Sequence, residues 1–180
     1  NATFPFWSPD GRYLGFFANG KLTKVEASGG PVLALCDAPI GRGGDWNRDD
    51  VILFSPTFRA GVFKVSAAGG TPSPVTTLEG GAFTSNRWPV FLPDGKHFLY
   101  LAVHHENVSK SVVFLGSLDG GKPVQVMESP SSFRYANGYL LFLRQGTLMA
   151  QELDTSQGRL QGEPTPVAES VLSDDSVWRG

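Results

Sequence analysis

Three arginines stand at comparable places along the chain. Arg87 and Arg134 directly precede the aromatic residues Trp88 and Tyr135, and Arg42 lies four residues before Trp46. A guanidinium presents a fixed fork of N–H donors that matches a carboxylate edge on. If the segments carrying these arginines begin strands around a common channel, the three converge there and bind a carboxylate or a peptide terminus. The plainer reading is an ion pair with an aspartate of a neighbouring unit, for which Asp45 is available. Arg42, Arg87 and Arg134 are the partner-binding residues expected from the sequence.

Other chemistry-bearing residues point more firmly to structure. His104-His105-Glu106 is the one histidine cluster. Adjacent strand residues face opposite ways, so both rings cannot easily hold one metal, and a solvated loop is the favoured reading. Asp10, Asp49, Asp50 and Asp94 recur where turns are expected, and aspartate stabilises turns through its own backbone hydrogen bonds. Cys36 is the single cysteine. It reads as a small buried hydrophobe, since no cationic neighbour is evident to activate a thiolate. Trp7, Trp46 and Trp88, at steps of 39 and 42 residues, are expected to occupy one equivalent position and to fill gaps between packed sheets. Trp178 falls outside that spacing. No residue set reads as a catalytic, cofactor or metal site.

The elements that must position these residues are written as a repeat. Phe6-Trp7-Ser8-Pro9-Asp10-Gly11 returns 84 residues later as Val90-Phe91-Leu92-Pro93-Asp94-Gly95, with a degenerate copy at Asp45-Trp46-Asn47-Arg48-Asp49-Asp50. A second signature, an alternating strand ending in Gly29-Gly30, recurs at Gly69-Gly70 and Gly120-Gly121, with a worn copy ending at Gly158. Each unit reads as four short strands. A Trp-bearing strand and a Pro-Asp-Gly turn come first. An apolar strand (Tyr13–Phe17, Val51–Phe54, Phe98–Ala102, Tyr139–Leu143) and an alternating strand follow. A glycine hairpin then leads to a fourth strand at Val32–Leu35, Val75–Leu78 or Val124–Met127. No stretch carries a helical period, and 22 Gly with 13 Pro break the chain into pieces too short for one. Four-stranded units repeating every ~40–45 residues are the signature of β-propeller blades. An all-β propeller of about four blades is predicted, at 4–38, 43–80, 86–128 and 132–168, with 169–180 as a remnant.

Composition narrows the function. The 180 residues are 41% hydrophobic and 18% charged, which indicates a globular chain, and the net charge of −2 argues against a nucleic-acid binder. No apolar run approaches the ~20 residues needed to cross a bilayer. No secretory leader is read at Asn1, which suits a mature, trimmed or excised chain.

The Trp-Ser-Pro-Asp-Gly phrase followed by an aromatic strand resembles the WD-repeat-like propeller repeat of TolB and of prolyl-oligopeptidase-type propellers. Gly41-Arg42-Gly43-Gly44-Asp45-Trp46-Asn47, Arg87–Gly95 and Tyr139–Arg144 are most similar to propellers attached to bacterial serine/threonine kinases. The resemblance implies a bacterial, periplasmic or otherwise extracytoplasmic setting, in which the acceptor-like triplets at Asn1 and Asn107 would be accidental. Kinase motifs and a Gly-x-Ser-x-Gly elbow are absent from the sequence. Propellers of this family usually have six to eight blades, so the resemblance also implies a partial ring, completed by a second copy. The expectation is a non-enzymatic interaction or sensor module that binds a peptide or protein. A gating propeller of a peptidase and a carbohydrate-binding propeller are the alternatives.

Overall fold

The computed structural model describes residues 2–78, 81–104, 106–129 and 131–171. Among these residues sixteen strands form four antiparallel sheets of four, each wound in simple sequence order. The first sheet holds β1 (Thr3–Trp7), β2 (Tyr13–Ala18), β3 (Lys21–Glu26) and β4 (Leu33–Asp37). The second holds β5 (Gly44–Trp46), β6 (Val51–Phe54), β7 (Phe63–Ser66) and β8 (Ser73–Pro74). The third holds β9 (Ser85–Phe91), β10 (His97–Val103), β11 (Val112–Ser117) and β12 (Val124–Glu128). The fourth holds β13 (Phe133–Ala136), β14 (Tyr139–Arg144), β15 (Thr147–Asp154) and β16 (Arg159–Ala168). One 3-10 turn, Val108–Lys110, is the sole helical element among the described residues. This is a β-propeller arrangement of four blades.

The hairpins follow from the turn residues. Gly11 and Gly95, which close the two Pro-Asp-Gly turns, sit at φ of 70° and 71°. In the degenerate copy Asp50 takes the glycine's place at φ 56°. Its carboxylate accepts a hydrogen bond from Trp46 Nε1 (3.1 Å), which helps hold an aspartate in a conformation that glycine adopts freely. Asp10 and Asp94 hold their turns through backbone amides as expected, whereas in the degenerate copy the Asn47 side chain, not Asp49 or Asp50, accepts the turn amides of Asp49 and Val51. Asp10 takes the Ser8 hydroxyl (2.6 Å), the Arg12 amide (3.0 Å) and the Arg12 guanidinium (2.5 Å), which hold it far below the usual carboxylate range. At Asp94 burial opposes ionisation, but the His97 ring and the His97 and Lys96 amides outweigh it and lower the pKa.

The fourth strand of the second blade differs from expectation. It is Ser73–Pro74 rather than Val75–Leu78. The Val62 carbonyl takes both the Val75 and Thr76 amides, and the Thr76 hydroxyl caps the Val62 amide, so the regular ladder ends there.

Each sheet buries its faces against its neighbours, which produces three interblade cores. Phe6, Phe17, Leu22, Leu35, Trp46, Ile52 and Phe54 fill the seam between the first and second blades. Leu53, Val62, Phe98 and Tyr100 fill the second seam. Leu99, Leu101, Val113, Phe133, Leu140 and Phe142 belong to the third, joined by Trp88. Among the described residues no comparable packing joins the fourth sheet to the first.

The tryptophans do not all behave as the spacing implied. Trp46 is 6% exposed and stacks on Tyr13 (centroids 6.1 Å, 27°) across the first seam. Trp88 is also buried, but Trp7 is 58% exposed. The strand register explains part of this. Trp7 pairs with Leu14 and Trp46 with Ile52, four residues before Gly11 and Asp50; the matching residue before Gly95 is Phe91, which pairs with Phe98. Trp88 lies three residues earlier, where the first and second blades have Phe4 and Gly43. Trp178 lies outside the described residues. Trp46→Ala should lower unfolding free energy in urea by about 3–5 kcal/mol, whereas Trp7→Ala should change it by less than about 0.5 kcal/mol.

Candidate functional site

Phe4, Gly43 and Trp88 share a backbone feature that sequence spacing concealed. All three lie in the left-handed region, at φ of 51°, 91° and 49°. In the first and third sheets the pairing slips here, between Thr3 and Phe6 and around Trp88. In the second, Ser55 faces two residues: its amide donates to the Gly43 carbonyl (3.1 Å) and its carbonyl accepts from the Arg42 amide (2.9 Å). This is a bulge, with two residues opposite one. Phenylalanine and tryptophan in this conformation cost about 1–3 kcal/mol each, and such strain persists where surrounding structure enforces it. Glycine at 43 has a second reason. A Cβ there would lie 2.6 Å from Trp88 Cδ1.

These bulges meet in one cleft of about 520 Å³, lined by residues of all four innermost strands: Phe4–Phe6, Gly43–Asp45, Trp88–Val90 and Arg134. Its two charged lining groups among the described residues are Asp45 and Arg134. Asp45 Oδ2 accepts the Phe91 amide (2.7 Å), which stitches the second blade to the third. Burial pushes the Asp45 carboxyl up to about 6; the Phe91 and Trp46 amides, and then the Arg134 charge, pull the other way without overcoming it. Arg134 is exposed, and its Nη1 donates to the Phe133 carbonyl (3.1 Å).

The structure therefore divides the expected arginine set. Arg134 lines the cleft, in a strand with regular pairing. Arg42 and Arg87 each stand immediately before a bulge residue and do not line the cleft, and the Arg42 charge acts on Arg87. Arg87 is fully buried, and Arg42 is half-buried. Burial, then the Arg42 charge, lowers the Arg87 guanidinium to about 10. Neither forms an ion pair within the described residues. Asp45 answers to the Phe91 amide and Arg134 instead.

A second groove, of about 650 Å³, follows the first seam past Tyr13, Lys24 and Trp46. Two of its polar groups are committed: Lys24 Nζ donates to the Ala67 carbonyl (2.8 Å) and lies over the Tyr13 ring, and Trp46 Nε1 bonds Asp50. His104 packs edge-on against Phe83 and accepts from the Asn107 amide (3.2 Å); His105 lies outside the described residues. No cluster of metal-ligating side chains occurs among the described residues. Cys36 is half-buried, and burial raises its thiol to about 11. No helix among the described residues is long and apolar enough to span a membrane.

No protein-family model and no curated protein matches the chain. Solved structures do. TolB from Acinetobacter baumannii is similar over 93% of this chain and 43% of its own, at 15% identity and a TM-score of 0.71. A nidogen/laminin complex chain is similar over 94% and 65%, at 9% identity and a TM-score of 0.73. A gluconolactonase from Xanthomonas campestris is similar over 88% and 74%, at 13% identity and a TM-score of 0.59. The chain thus spans less than half of that TolB. The expectation that the protein is not an enzyme is corrected here, because the same architecture carries catalysis in the gluconolactonase, and the blades themselves do not set it aside.

The raised Asp45 pKa has a stability consequence. Unfolded, its carboxyl ionises near 3.9. In the folded chain it keeps its proton to about pH 6. Folding is unpenalised below pH ~4, loses stability as pH rises from about 4 to 6, and carries the full cost, up to roughly 3 kcal/mol, above that range. Asp45→Asn should remove this component, so the variant gains on the wild type from pH 4 to 6 in urea unfolding. Parallel pH curves would show that Asp45 ionises normally. At the level of fold, the likeness and the strand order together make this a β-propeller of the kind seen in TolB.

Proposed function

We propose that the protein is a binding module whose ligand, a peptide or protein segment, docks in the cleft of the four innermost strands. The carrying observation is the convergence there of three left-handed residues around one carboxyl and one guanidinium. Backbone strain gathered at a concave site is a pointer to function. The two opposite charges would orient a polar chain, with Arg134 taking a carboxylate and Asp45 an N–H donor. The likeness in fold to TolB and to a chain of a nidogen/laminin complex supports this reading, and an extracytoplasmic setting is proposed with it.

Selection of a displayed random-peptide library on the immobilised protein should enrich peptides that quench tryptophan fluorescence. Their affinity should fall about ten-fold or more in Arg134→Ala, the scale of a lost charge-assisted hydrogen bond. Enriched peptides that bind this variant and the wild type alike would place the site elsewhere.

A second copy of the chain is proposed as a further partner. Trp7, Leu33, Tyr139 and Val167 are exposed, and all lie on the first or last sheet. Apolar surface on sheets that lack a neighbouring blade invites pairing. Light scattering behind size exclusion should show a discrete dimer, and Trp7→Lys should weaken it. A monomer at high concentration would count against the pairing.

A further inference from the structure

We propose that Arg42 and Arg87 together form a buried anion site that takes a carboxylate. The site is separate from the cleft, since neither side chain lines it. Its geometry follows from the bulges. The Trp88 amide donates to the Arg42 carbonyl (3.0 Å), the Arg42 amide to the Ser55 carbonyl (2.9 Å), and the Ser55 hydroxyl to the Asn86 carbonyl (2.5 Å). These bonds fix the backbone on which both arginines stand.

The side chains are left with donors to spare. Arg87 Nε donates to the Ser85 hydroxyl (2.9 Å), but Arg87 Nη1 and Nη2 are enclosed and bonded to nothing among the described residues. Arg42 Nε is likewise enclosed and unbonded. A guanidinium keeps its proton at neutral pH, so the charge cannot be shed. Enclosing an unpaired cation is expensive, and a second cation beside it adds to the cost. An oxyanion bound to both relieves the burial and the mutual repulsion together. The parallel Nη1–H and Nη2–H of Arg87 match the two oxygens of a carboxylate. Such an acceptor lies in the guanidinium plane, which suits a fork enclosed between packed strands; a tetrahedral phosphate needs space out of that plane. The enclosed Nε of Arg42 supplies a third donor.

The test is the thermal midpoint of the wild type in sodium acetate at constant ionic strength, balanced with chloride in a carboxylate-free buffer near neutral pH. A ligand that binds the folded state raises the midpoint with concentration. Acetate should do so in the wild type, should need at least ten-fold more in Arg42→Met, and should have no effect in Arg87→Met. In chloride alone Arg87→Met should melt at or above the wild-type midpoint, because it removes a buried unpaired charge. A tetrapeptide with a free C-terminus that acts like acetate, while its amide does not, would identify a chain end as the source; acetate alone would identify a small acid. No shift by about 100 mM acetate, equal shifts in wild type and Arg87→Met, or protection by phosphate without acetate would overturn the proposal.

Discussion

The hydrogen bond from the Trp88 amide to the Arg42 carbonyl ties the second blade to the third at the depth of their bulges. Much of what distinguishes this propeller depends on it. Blades are amphipathic sheets with nothing to bury alone, and apolar packing between them is tolerant of sliding. A main-chain bond between innermost strands is not, because its geometry is narrow. With it in place, Asp45 reaches the Phe91 amide, Asn47 reaches the Gly95 carbonyl (2.8 Å), and the Trp88 ring lies against Gly43. The seam is thus set from the axis outward, and Leu53, Phe98 and Tyr100 fill what remains.

The same bond accounts for the split among the arginines. A bulge turns the residue before it and the residue within it to different surroundings. Trp88 and Gly43 line the cleft, while Arg87 and Arg42, one step earlier, do not. Arg134 stands on a strand without a bulge and remains with the cleft. One local departure from regular pairing therefore creates two different environments from neighbouring residues. One is concave, strained and carries opposite charges, and the other is enclosed and carries like charges.

Most of the architecture was legible because turns are dictated locally. Pro-Asp-Gly and Gly-Gly admit few backbone paths, so repeated copies reported four-stranded blades without any knowledge of contacts. The site was less legible. Aligning Trp88 with Trp7 and Trp46 by chemical type misplaced it by three residues, since the bulge that distinguishes it has no side-chain signature; Phe4, Gly43 and Trp88 differ in every respect but φ. The Pro-Asp-Gly phrase held the correct alignment, setting Phe91 opposite Trp7. Asp45 was read only as a possible ion-pair partner. Its proximity to the Phe91 amide depends on the twist between blades, which periodicity does not encode. Ser73–Pro74 replaced a more apolar candidate strand because the Val62 carbonyl accepts two amides, a contest that composition cannot reveal.

The cleft joins features that binding and catalysis both use. A carboxyl near pH 6 gives and takes protons within the physiological range, and a guanidinium beside it stabilises negative charge. Burial sets the first property, and the absence of a bulge in the fourth blade sets the second. Neither depends on the propeller as such, whose four sheets supply stiffness and a concave axis. Function in this architecture is therefore determined by which residues the bulges turn inward. In this chain that reasoning leads to the ring of Phe4, Gly43, Asp45, Trp88 and Arg134 before any other surface.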